Sequence, residues 1–115
     1  MADPQYNGPL EEYTHCGAAG VPGDGPFMQM WLLVESTVIT RAAYRSNGCP
    51  SSMAAGSMAA RVITGLTVEK ALLLTAEDLL IILGGLPEGK EECAHRATAA
   101  VQDALVRQTA VGNRQ

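Results

Sequence analysis

The sequence changes its period at one place, between Cys49 and Pro50, and that switch constrains the fold more than any other feature. Residues 1–26 carry Pro4, Gly8, Pro9, Gly17, Gly20, Pro22, Gly23, Gly25 and Pro26. So many fixed φ angles, missing N–H donors and flexible positions leave no room for a long helix. This arm is predicted to be irregular, with one short strand around residues 12–17. Residues 27–36 (FMQMWLLVES) and 38–44 are rich in β-branched, aromatic and large apolar side chains, and the second run alternates with Arg41 and Arg45. With the turn-like Glu35-Ser36-Thr37 between them, they predict two antiparallel strands.

From Pro50 onward the pattern is helical. Pro50 suits the first helical position, where its missing N–H costs nothing, and Met53, Met58, Val62 and Ile63 recur at near-helical spacing up to Gly65. A helix over residues 50–64 is predicted, and its Ala54, Ala55, Gly56, Ala59 and Ala60 suit close packing on the sheet. Thr67 and Thr75 cap two short helices, the second with Glu77 and Asp78 over its positive end, and Gly84-Gly85-Leu86-Pro87 stops it. A last helix over residues 89–109 places Cys93, Ala97, Ala100, Val101, Ala104 and Leu105 on one face, with Asp103 four residues before Arg107 on the outside. Strands first and helices afterwards is the segregated order of an α+β fold: a small antiparallel sheet with a helical half packed on one face.

At 115 residues, one domain is expected, with residues 1–26 as its arm and 110–115 as a frayed tail. Hydrophobic residues at 47% against 17% charged are enough for a packed core. A net charge of −4 without a Lys/Arg run argues against a nucleic-acid partner. The longest apolar runs, residues 30–34 and 79–83, fall short of the roughly 20 residues a membrane span requires. The first residues lack the basic start and apolar core of a secretory signal, so a cytoplasmic location is expected. The three cysteines fit that expectation as thiols or metal ligands rather than disulfide staples.

Two of those cysteines occupy comparable places. Cys49 directly precedes a predicted helix and Cys93 lies in the first turns of another, near Lys90. A helix N-terminus favours the thiolate that nucleophilic attack and metal ligation both require. Free cysteine also packs as a small buried hydrophobe, and the spacing is not CxxC, so the residues alone leave both readings open. Asp24, between Gly23 and Gly25, reads by itself as a turn aspartate. His95 lies about 200° around a helix from Cys93, which makes it a surface residue, and His15 faces the opposite side of a strand from Cys16. There is no glycine-rich phosphate loop and no Ser/His/Asp set, so a hydrolase or transferase is disfavoured and no enzyme activity is expected.

The order of these elements resembles that of NifU/IscU-type iron–sulfur cluster assembly scaffolds. The resemblance rests on Tyr44, Asn47-Gly48-Cys49, the Ser/Ala-rich helix ending at Gly65, the caps at Thr67 and Thr75, Leu83-Gly-Gly-Leu-Pro-Glu-Gly-Lys, and Cys93 with the helix after it, and it covers residues 3–105. It implies a two-iron, two-sulfur cluster, held transiently, or a zinc ion, on three cysteines and one aspartate. Carried over, Cys49 and Cys93 match the second and third cysteines, and Asp24 the aspartate. The family's first cysteine has no counterpart before Gly23. Cys16 is the nearest thiol, and would serve if residues 12–20 formed an edge strand with its side chain turned toward the site. The family's His-Cys is Glu92-Cys93, and its Leu-Pro-Pro-x-Lys is Leu86-Pro87-Glu88-Gly89-Lys90. The implied partners are a cysteine desulfurase and apoprotein cluster acceptors, with self-association left open. Thiolates are soft donors and a carboxylate is a harder, weaker one, so such a set holds its cargo less permanently than four cysteines would. Two readings stand beside it: a metal-free persulfide sulfur acceptor, and a degenerate relative that only binds another protein.

Overall fold

The first 46 residues supply the sheet. β1 (His15–Ala19), β2 (Met28–Glu35) and β3 (Val38–Ser46) pair antiparallel in the order β1-β2-β3. They belong to a computed structural model that describes residues 8–20, 25–47 and 49–111, with side chains as far as Val106. α1 (Pro50–Ile63), α2 (Val68–Leu72), α3 (Ala76–Leu83) and α4 (Glu92–Val111) follow, giving the α+β architecture that the order of periods predicts. Asp24, residues 1–7 of the arm and residues 112–115 of the tail lie outside the described residues. No described helix is long and apolar enough to cross a membrane.

The arm contains a strand, but it starts later than predicted. Thr14 enters the ladder through its own groups: its N–H donates to Leu32 O at 2.9 Å, and its hydroxyl accepts the Val34 N–H at 2.9 Å. A side chain substituting for backbone in this way ends regular pairing, so β1 begins at His15. β2 and β3 meet at a tight turn with Ser36 and Thr37 both at positive φ, 52° and 65°. This is the left-handed geometry whose twist matches a two-residue hairpin. The Thr37 carbonyl accepts the Val68 N–H at 2.9 Å, which fastens the turn to the start of α2.

The helix boundaries follow from local chemistry. Cys49 is the extended N-cap of α1, and Pro50 stands at its first position as predicted. Thr67 accepts from the Lys70 N–H, and Thr75 and Asp78 form a reciprocal capping box worth about 1 kcal/mol. Gly84 at φ +79 stops α3. α4 starts at Glu92 rather than Gly89, because Gly89 is left-handed at φ +86 and the Lys90 N–H closes a turn onto Pro87 O at 2.9 Å.

One face of the sheet receives the helices. Cross-strand partners share a face, and the row Gly17, Met30, Tyr44 points toward α1 and α4. A Cβ on Gly56 would stand 2.5 Å from the Tyr44 ring and one on Gly17 would stand 2.2 Å from Ala104 N. Each helix therefore touches the sheet where a side chain is missing. Ala55, Ala59, Ala60, Ala94, Ala97, Ala100 and Ala104 are buried around these contacts. The neighbouring row, Cys16, Trp31, Ala43, points the other way, where Gly8 packs against Trp31 and Ala43.

Asp103 departs from its predicted outward position. It is half-buried and accepts the Ala18 N–H at 2.9 Å, satisfying an outward donor of the edge strand. Gly17→Ala is expected to lower the free energy of unfolding by about 3 kcal/mol, since neither backbone can yield. Urea denaturation checks this, and an unchanged midpoint would contradict the close approach.

Candidate functional site

The antiparallel register sets the ends of the strands at a common pole. Ala19, Met28 and Ser46 are aligned there, so the chain leaving β3 turns through Asn47 directly into α1. α4 packs on β1 and α1, which brings its first turn to the same pole. The result is a cleft of about 210 Å³ lined by Pro26, Asn47, Cys49, Ser52, Gly89, Lys90, Glu92, Cys93 and Arg96. Two cysteines 44 positions apart in sequence thus open on one space, each carried by the start of a helix.

Their surroundings differ. Cys49 is partly exposed. Its thiol is pulled below the ordinary range first by the backbone N–H of Ser52, then by that of Ser51, with the Lys90 ammonium and the Ser52 hydroxyl adding less. Desolvation opposes this and is outweighed. These N–H groups face the sulfur without closing a regular capping hydrogen bond. They are the orphan donors that any helix start leaves, here turned onto a thiolate.

Cys93 is buried, at 2% exposure. Its sulfur lies 3.3 Å from the hydroxyl of Ser52, itself fully buried, and 3.6 Å from Nη2 of Arg96, which donates to it. Ser52 therefore touches both cysteines: its backbone N–H faces Cys49 and its hydroxyl faces Cys93. The other terminal nitrogen of Arg96 pairs with Glu92 at 3.6 Å, while Nε is buried without a hydrogen-bond partner. Glu92 is 82% exposed, so the ion pair is screened and contributes at most about 0.5 kcal/mol; its effect is to orient the guanidinium.

The four sequence-derived candidates separate. Cys49 and Cys93 share the cleft. Asp24 lies outside the described residues. Cys16 does sit on an edge strand beside β2, but it belongs to the row of Trp31 and Ala43 on the face away from the helices. It also stands three residues, about 10 Å, from the end of the sheet that borders the cleft. Strand parity thus turns it from the site that its place in the sequence suggested. His95 is exposed, as its helical angle implied. Among the described residues no group of three or more His, Cys, Asp or Glu could hold a metal ion.

Ser52 and Arg96 were not anticipated. The signal was available in helical spacing: each follows its cysteine by three positions and so lies on the same face one turn later. What the cleft can do follows from its charges. Among the described residues, two helix N-termini, Lys90 and Arg96 confront the one carboxylate of Glu92, so this part of the space favours anions. Two soft sulfurs beside the Arg96 guanidinium fit a sulfur-rich, negatively charged guest.

Comparison with known proteins agrees with this picture. Residues 1–112 match the model of the NifU-like N-terminal domain, and the chain belongs to that family. It is 32% identical over 104 residues to the iron–sulfur cluster assembly scaffold protein IscU 1 of Archaeoglobus fulgidus, covering 90% of this chain and 68% of that one. It is likewise 32% identical over 112 residues to the scaffold protein IscU of Aquifex aeolicus, covering 92% and 71%. A solved structure of a NifU-like N-terminal protein from Brucella abortus superposes with a TM-score of 0.58 at 21% identity, covering 90% of this chain and 84% of that one. An assembly scaffold structure from Fervidobacterium islandicum superposes with a TM-score of 0.67 at 16% identity, covering 88% and 87%.

Because the folded protein favours the Cys49 thiolate, that contribution to stability is fully present above the ordinary thiol pKa and fades as pH falls through the lowered one. In alkylation with iodoacetamide across pH, Cys49 is expected to react with a midpoint below that of an unfolded thiol, and Lys90→Ala to move the midpoint upward. A midpoint equal to that of the unfolded chain would contradict the role given to the Ser51 and Ser52 N–H groups.

Proposed function

We propose that this chain is an iron–sulfur cluster assembly scaffold: it holds and hands on a nascent cluster and turns over no substrate of its own. The observation that carries the reading is the meeting of Cys49 and Cys93 in one cleft at the starts of α1 and α4, in a chain of this family. The proposed cargo is a two-iron, two-sulfur cluster, with zinc as an alternative occupant. Cys49 and Cys93 are its proposed sulfur ligands and Asp24 its proposed oxygen ligand. Sulfur is proposed to come from a cysteine desulfurase and the finished cluster to pass to apoproteins, in the cytoplasm.

The chemistry of the cleft supports transient rather than permanent holding. Soft thiolates bind iron and zinc well, and a mixed sulfur and carboxylate set releases them more readily than four thiolates would. The exposure of Cys49 leaves one ligand open to an incoming donor or acceptor, while the burial of Cys93 keeps the other from solvent.

Anaerobic reconstitution with ferrous iron and sulfide tests the proposal. The wild type is expected to develop visible sulfide-to-iron absorption and to carry about one cluster or one zinc per site, and Cys49→Ala and Cys93→Ala each to lose most of it, since removing one of so few ligands leaves an open, labile site. A wild type that takes up neither chromophore nor zinc would contradict it.

A further inference from the structure

We propose that Arg96 is a direct contact for the cargo: the side of its guanidinium that donates to the Cys93 sulfur also donates to a sulfur anion lodged beside that sulfur, either a bridging sulfide of a cluster or the terminal sulfur of a persulfide. The inference rests on the scaffold reading for the first source and stands apart from it for the second. Two contacts and one placement motivate it. Nη2 donates to the Cys93 sulfur at 3.6 Å, Nη1 is drawn to Glu92 at 3.6 Å, and the residue as a whole lines the cleft.

A guanidinium has five N–H donors, and the contacts to Cys93 and Glu92 engage one on each terminal nitrogen, which leaves a second on each. Arg96 is only 22% exposed and carries a charge that proteins do not remove, so neither water nor deprotonation satisfies those donors in full. Glu92 does not serve the Cys93 side of the guanidinium, because it holds Nη1 and points largely to solvent. The acceptor that fits is one that enters the cleft with the cargo. A thiolate-bound sulfide or persulfide sulfur is anionic, large and a tolerant hydrogen-bond acceptor. The remaining charges facing the space, Lys90 and the two helix N-termini, add to the attraction for it.

The persulfide arm involves one covalent step. A cleft thiolate attacks the outer sulfur of a small-molecule persulfide, a new S–S bond forms as the donor's S–S bond breaks, and the donor leaves as its own thiolate. The proton on the transferred sulfur is retained or lost to solvent, and no oxidant is consumed.

The test compares wild type, Arg96→Met and Arg96→Lys, all first checked by thermal unfolding to be folded. In the cluster arm, reconstituted protein is challenged with an iron chelator, and Arg96→Met is expected to lose its cluster at least 10-fold faster, the size typical of outer contacts to a metal site. Arg96→Lys, which keeps the charge, is expected to fall between. In the persulfide arm, protein treated with a small-molecule persulfide is followed by mass spectrometry, and the lifetime of the added sulfur is expected to shorten in Arg96→Met. Loss in one arm alone identifies that source of the anion.

A titration with zinc alone separates contact with the cargo from support of the ligand. Zinc brings no sulfide, so its affinity is expected to stay within about twofold in Arg96→Met, or to tighten as a neighbouring cation is removed. A fall in zinc affinity matching the fall in cluster retention would overturn the proposal, since Arg96 would then act only through Cys93. Equal behaviour of Arg96→Met and wild type in both arms would also overturn it. A wild type that takes no cluster but holds persulfide in an Arg96-dependent way would end the scaffold reading and leave this one standing, and a wild type that takes neither would end both.

Discussion

Everything in this fold depends on two places where backbone meets its neighbour without an intervening side chain. At Gly17 the edge strand lies directly against the backbone of α4 at Ala104, and at Gly56 the first helix lies directly on the Tyr44 ring. These contacts fix how deeply the helices sit on the sheet. The alanines around them let both helices stay low along their lengths, at the expense of the larger transfer free energy that leucines would supply. Asp103 adds a directional restraint, holding the Ala18 N–H and so pinning α4 along β1 rather than merely near it.

The site is a consequence of that packing. A helix held close to the sheet and started at the pole where the strands end must present its first-turn N–H groups there, and two helices do so. Neither cysteine would be unusual alone. Brought together, a partly exposed thiol beside the Ser51 and Ser52 N–H groups and a buried thiol beside Ser52 and Arg96 form a cleft with one open and one protected sulfur. The asymmetry suits a scaffold that holds its cargo and then delivers it. Ser52 couples the halves, since the same residue faces one sulfur with its backbone and the other with its side chain.

Much of this was legible in the sequence, for physical reasons that can be named. The change of period at Cys49-Pro50 separates sheet from helices because a proline without an N–H costs nothing at a helix start and much elsewhere. Thr75 with Asp78 marks a cap because the pairing is local. Cys16 was not decidable, because the face that a strand residue takes depends on a register that one strand alone does not specify. The outward placement of Asp103 failed for a related reason: helical spacing gives its angle on α4 but not which neighbour covers that angle. Arg96 and Ser52 lay within reach of a turn-by-turn reading from each cysteine, yet only the folded chain shows that both meet the Cys93 sulfur.

The central claim is that two sulfurs distant in sequence act on one guest at the pole of the molecule. X-ray absorption at the zinc edge of zinc-loaded protein tests it most directly. The account expects two sulfur neighbours at about 2.3 Å, the usual zinc–thiolate distance, falling to one in Cys49→Ala and to one in Cys93→Ala. A zinc shell without sulfur, or one that neither substitution alters, would contradict it.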